Sequence, residues 1–241
     1  MKRVLLFFAT LWLGIMGASA QSYYYDVNND GEININDVVA LVNKILGKDN
    51  PGEGAGMEAG GEAIDLGLPS GTKWASCNVG ATKPEEYGGY YAWGETEEKE
   101  VYDESTYKYY QNGKYVNIGS DISGTKYDVA HVKWGGNWCM PTLDDINELL
   151  DNCTSEWTTL NGVNGRKFTS NINGNSIFLP AAGGRWGGVL YYAGEGGDYW
   201  SSSQNPDYSY GSYNLYFNSG NAYWDNGSRY GGRSVRPVVR N

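Results

Sequence analysis

The stretch Trp134-Gly135-Gly136-Asn137-Trp138-Cys139-Met140-Pro141-Thr142, continued by Leu143-Asp144-Asp145-Ile146-Asn147-Glu148-Leu149-Leu150-Asp151-Asn152, decides how most of the chain is read. Pro141 suits the edge of a first helical turn, where its missing N–H costs nothing. Leu143, Ile146, Leu149 and Leu150 then recur at helical spacing, so the pattern predicts one helix over 142–152. On both sides the signals are those of short strands. Apolar runs predict strands at 63–66, 73–78, 90–93, 166–169 and 176–180, and a last one over 235–239 broken by Pro237. The charged, tyrosine-rich span 96–128 reads as an insertion or long hairpin, and 183–233 as Gly, Tyr, Ser, Asn and Asp in long ordered loops. The expected class is α+β: short strands, few helices and long loops.

Composition agrees with that class. The 241 residues include 35 Gly, 21 Tyr and 9 Trp, which favours ordered loops and short strands over sustained helix. Cys77, Cys139 and Cys153 leave at least one thiol unpaired, so disulfides are not the main scaffold; Cys77 and Cys153 are read as small buried residues or as a disulfide.

The start of the chain is organised differently. Met1-Lys2-Arg3, an apolar run and Ala18-Ser19-Ala20 have the marks of a signal peptide over 1–20, cleaved after Ala20. A secreted or cell-surface protein is expected. Removing Lys2 and Arg3 takes the formal net charge from −10 to −12, which disfavours nucleic acid and anionic membrane surfaces as partners. No later apolar run reaches the length of a membrane span. Residues 48–62, rich in Gly and Glu, read as a flexible linker to a domain over 63–241.

Between signal and linker, over 21–47, lies a calcium-loop pattern. Calcium takes oxygen ligands from positions one, three, five, seven, nine and twelve of a loop with Gly at position six. Those positions are Asp26, Asn28, Asp30, Glu32 through its carbonyl, Asn34 and Asp37, with Gly31 at the bend. Val38, Leu41, Val42, Ile45 and Leu46 then mark one amphipathic helix. This loop and helix resemble a single dockerin repeat, which implies bound Ca2+ and a cohesin-like partner or self association. Positions ten and eleven, Ile35 and Asn36, depart from the hydroxyl pair common in dockerins.

The larger domain carries Ile64-Asp65-Leu66-Gly67-Leu68-Pro69-Ser70-Gly71-Thr72-Lys73-Trp74-Ala75, Tyr90-Tyr91-Ala92-Trp93-Gly94-Glu95, the 134–142 stretch, Phe178-Leu179-Pro180-Ala181-Ala182-Gly183, Tyr199-Trp200-Ser201-Ser202-Ser203 and Ser234-Val235-Arg236-Pro237-Val238. In order and spacing these segments resemble the Fibrobacter major paralogous domain. The resemblance implies a C-type lectin-like fold, related to formylglycine-generating enzymes and retroelement-diversified variable proteins, with a ligand face near the C-terminal strand. Cys139 stands where relatives usually carry Arg.

The tail has the composition of a recognition surface, since Tyr offers wide contact at low entropic cost and Ser, Gly and Asn adapt their hydrogen bonds. Tyr208, Tyr210, Tyr213, Asn221, Tyr223, Asp225, Asn226 and Arg229 are expected to be exposed and to form the ligand site. Trp74, Trp93, Trp134, Trp138 and Trp200 are expected in the core, and Arg236 is read as structural. No catalytic set stands out: His131 is the only histidine, and a Ser-His or Cys-His machine has no other base to draw on. The expectation is a non-catalytic binding module for a glycan or cell-surface protein. A structural scaffold-docking protein and a carbohydrate-active enzyme component are the alternatives.

Overall fold

The computed structural model of the protein describes residues 61–240. The signal segment, the calcium loop Asp26 to Asp37 and most of the linker lie outside the described residues.

Short antiparallel sheets and two short helices build the described part. Strand β1 (Ala63–Ile64) pairs with β2 (Lys73–Ala75). A 3-10 turn at Glu104–Thr106 precedes a small hairpin of β3 (Tyr110–Gln111) and β4 (Lys114–Tyr115). Helix α1 (Val129–Trp134) starts at Asp128, whose carboxylate accepts from Ala130 N at 2.9 Å and His131 N at 3.1 Å, and stops at Gly135. Strand β5 (Trp138–Cys139) leads into α2 (Leu143–Asn152). Thr142 caps α2: its hydroxyl accepts from Asp145 N, and Asp145 accepts from Thr142 N, which satisfies two otherwise orphaned donors.

Three antiparallel strands follow: β6 (Cys153–Leu160), β7 (Val163–Ser170) and β8 (Ser176–Pro180). The β6–β7 turn is Asn161-Gly162, with φ of 49° and 82°, the left-handed pair that a two-residue hairpin turn requires. Beyond it come the hairpin β9 (Gly184–Trp186) and β10 (Val189–Tyr191), then a meander of β11 (Gly196–Gln204), β12 (Gly211–Asn218) and β13 (Ala222–Ser228). The last strand, β14 (Val238–Val239), lies between β2 and β5, so the sheet order is β1-β2-β14-β5.

Helix α2 packs on β11, β12 and β13. Ile146 and Leu149 meet Trp74, Phe168, Leu179, Leu215, Phe217 and Val238 in one cluster. A second cluster gathers Trp93, Ile122, Val129, Met140, Trp200 and Val235, and a third Tyr90, Ala92, Tyr102 and Tyr107. Trp74, Trp93, Trp134 and Trp200 are buried as expected, and Trp138 is partly so. Arg236 ties the end of the chain inward. Its guanidinium donates to Asn78 Oδ1 at 2.7 Å, Ala75 O at 3.0 Å, Ser76 O at 3.1 Å and Phe178 O at 3.0 Å. Burial lowers its pKa to about 10, which leaves it charged at neutral pH. Cys77, Cys139 and Cys153 are buried free thiols.

Two expectations need correction. The span 183–233 is mainly strand, not loop. Residues 90–93 form no strand, only a bridge from Tyr91 to Arg233. Among the described residues no helix is long and apolar enough to cross a membrane.

Candidate functional site

The pleat of the β12–β13 ribbon divides the expected ligand residues between two faces. Cross-strand partners share a face, and successive residues alternate. The register pairs Tyr213 with Asn226, Leu215 with Trp224 and Phe217 with Ala222 on one side. Leu215 and Phe217 point into the core there, and Tyr213 meets Trp224 edge-on at 5.5 Å. On the other side Asn214 pairs with Asp225 and Tyr216 with Tyr223, whose rings lie 5.4 Å apart. Strand β13 is the outer strand of this sheet, and Tyr223, Trp224 and Asp225 are exposed along it. Asn221 is exposed in the turn between the two strands.

Tyr208 and Tyr210 stand apart, in the β11–β12 connection, with rings 5.5 Å from each other and both exposed. Asn226 links the connection to the ribbon, because Asn205 Nδ2 donates to its Oδ1 at 3.0 Å. Seven of the eight expected residues therefore reach the surface at least in part, spread over a connection, a turn and two faces.

Arg229 is the exception. It is fully buried. Its Nε donates to Tyr107 Oη at 3.0 Å, Nη1 to Ser209 O at 3.1 Å and Nη2 to Val116 O at 3.1 Å. The guanidinium lies 4.7 Å from the ring centre of Trp93, 5.5 Å from Tyr107 and 5.7 Å from Tyr115. These contacts make Arg229 a clamp between the 205–211 connection and the 107–116 segment, and its expected exposure is overturned.

A second buried arginine holds the Tyr216–Tyr223 face. Arg233 Nε sits 2.7 Å from Asp198 Oδ1, and Asn214 Nδ2 donates to the same oxygen at 2.7 Å. Burial pushes the Asp198 carboxyl upward, and Arg233 pulls against it. The Arg233 guanidinium lies over two rings, 4.1 Å from the centre of Trp200 and 5.2 Å from that of Trp186. A side chain at Gly227 would strike the guanidinium, since an added Cβ would lie 2.1 Å from Nη2. The aromatic ribbon thus rests on a preformed polar base. Exposed Trp224 and half-buried Tyr216 lie on this ribbon outside the eight expected ligand residues. The available signal for Tyr216 was the alternation of Tyr213, Leu215 and Phe217, which places Tyr216 on the opposite face.

His131 lines a cleft of about 400 Å³ with Asp121, Ser123, Cys139 and Arg240. Cys139 Sγ lies 3.0 Å from Arg240 Nη1, which also reaches Ser123 Oγ at 2.9 Å. Burial raises the pKa of this thiol. Among the described residues no hydrogen bond joins the His131 ring to Ser123 or Cys139, and no group of three or more His, Cys, Asp or Glu is placed to hold a metal ion. Comparison with protein-family models, curated proteins and solved structures gives no match.

Proposed function

We propose that this chain is an exported, non-catalytic binding protein of C-type lectin-like type, a member of the Fibrobacter major paralogous domain family. Its β12–β13 ribbon recognises a glycan or a cell-surface protein, and the Asp26 to Asp37 loop binds calcium for attachment or stability. One observation carries the reading. The outer strand β13 exposes Tyr223 and Trp224 on opposite faces, with Asn221 and Asp225 beside them, on a sheet held by buried arginines. Aromatic rings stack on the apolar faces of sugars or protein side chains, and amide and carboxylate groups read hydroxyls. A rigid sheet loses little entropy on binding.

The test is a glycan array and a cell-surface pull-down with the full chain, followed by alanine at Tyr223 and Trp224, each alone and together. A central aromatic contact is worth about 2 kcal/mol, so each single change is expected to weaken binding roughly thirtyfold. Unchanged binding by a variant with alanine at Tyr208, Tyr210, Tyr223 and Trp224, folded by circular dichroism, sinks the assignment.

A further inference from the structure

We propose a second binding site, separate from the ribbon, that takes a carboxylated sugar such as a uronic-acid unit. It is the cleft of about 450 Å³ lined by Gly94, Glu95, Glu97, Lys108, Tyr109, Lys126 and Tyr127, among others. Ligand sites span about 300–1,000 Å³, and this cleft is large enough for a saccharide unit.

Charge sets the class of ligand. Both carboxylates of the cleft are already engaged. Glu95 pairs with Lys99 at 2.9 Å and accepts from Lys108 N at 2.8 Å, and Glu97 pairs with Lys133 at 3.4 Å. Neighbouring acids turn to their own backbone or tyrosine partners: Glu98 accepts from Tyr90 N, Asp103 caps its own turn, and Glu104 accepts from Tyr115 Oη. Lys108 and Lys126 have no carboxylate partner among the described residues. Their ammoniums lie over the rings of Tyr109 and Tyr127, at 5.8 Å and 5.2 Å. Within the lining two ammoniums stand against two carboxylates, and each carboxylate is paired with a lysine from outside it, Lys99 or Lys133, so Lys108 and Lys126 are left without a carboxylate partner. An anionic group has two unclaimed partners here.

Shape narrows the class further. Tyr109 and Tyr127 meet edge-on, with centroids 5.5 Å apart and planes at 89°, and both line the cleft. Gly94, at φ 83°, keeps the back wall close, since an added Cβ would come within 2.4 Å of Ile118 Cδ1. Rings that pack on a sugar face, together with ammoniums that meet its carboxylate, select a carboxylated saccharide over a bare inorganic anion.

The experiment is calorimetric titration of the full chain with galacturonate trisaccharide, a neutral galactose trisaccharide and sodium sulfate. Saturable binding of the acidic trisaccharide alone is expected. Replacing Lys108 and Lys126 together by Ala, both exposed positions, is expected to weaken it about tenfold or more and to flatten its salt dependence. Tyr223→Ala is expected to leave it unchanged, which separates this site from the ribbon. No binding of the acidic trisaccharide, equal binding of the neutral one or of sulfate, or full affinity in the double lysine variant each overturns the proposal.

Discussion

Arg229→Ala puts the buried clamp under direct test. The change deletes three hydrogen bonds, to Tyr107 Oη, Ser209 O and Val116 O. Tyr107 keeps a partner, because its hydroxyl also donates to Trp93 O at 2.6 Å. The two carbonyls, on exposed Ser209 and half-buried Val116, lose hydrogen bonds to a charged donor, at about 1–3 kcal/mol each. Loss of the cation from among Trp93, Tyr107 and Tyr115 adds about 1–2 kcal/mol, and removing the desolvation cost of the guanidinium offsets part of the total. A net loss of about 4 kcal/mol follows. For a domain of this size each kcal/mol lowers Tm by about 2–4 °C, so a fall of roughly 8–16 °C is expected. Guanidinium unfolding followed by tryptophan fluorescence gives the stability, and scanning calorimetry the midpoint. A variant within 1 kcal/mol of the parent would show that Arg229 is not a clamp, and the account of how the 205–211 connection is held would fall with it.

Three further outcomes are expected. The Asp145 carboxyl is buried, which raises its pKa, but Arg240 and Thr142 outweigh burial and hold it below the usual carboxylate range. Its stabilising effect is therefore complete above about pH 4 and fades as pH falls through the lowered value. Asp145→Asn should cost about 1–2 kcal/mol at pH 7 and progressively less below pH 4; a cost independent of pH between 2 and 7 refutes the linkage. All three thiols are buried and free, and burial pushes Cys153 to about 11, so the native chain should resist a thiol reagent at pH 8 and release three equivalents in guanidinium. A disulfide found by mass spectrometry of the non-reduced protein would contradict this. The Asp26 to Asp37 loop should take one calcium ion per chain by calorimetry, and Asp30→Ala should abolish it; retained binding in that variant would remove the loop from consideration.

What the sequence made legible depended on whether local pattern or distant packing decides each element. Helix α2 was readable from Pro141-Thr142 and the spacing of Leu143, Ile146, Leu149 and Leu150, and it forms over Leu143–Asn152. Strand β8 was readable from its apolar run and forms over Ser176–Pro180. The meander was not, because β11 is buried along most of its length, and a strand covered on both sides shows no alternation of apolar and polar residues. Its inward positions are also Gly and Ser as often as apolar. Asn161-Gly162 and Asn112-Gly113 were hairpin signals available in the chain, and reading them would have added β6 and the β3–β4 hairpin. Arg229 was beyond local reasoning, since Tyr107, more than a hundred positions earlier, supplies its partner. The same fact limits where a recognition surface can lie. Arg229, Arg233 and Arg236 are each buried and bonded to several elements, so the tail around them is a packed sheet, not a set of independent loops. Freedom to vary contact chemistry then falls to the outward positions Tyr208, Tyr210, Asn221, Tyr223, Trp224 and Asp225, where a new side chain meets solvent or ligand and leaves the arginine contacts intact.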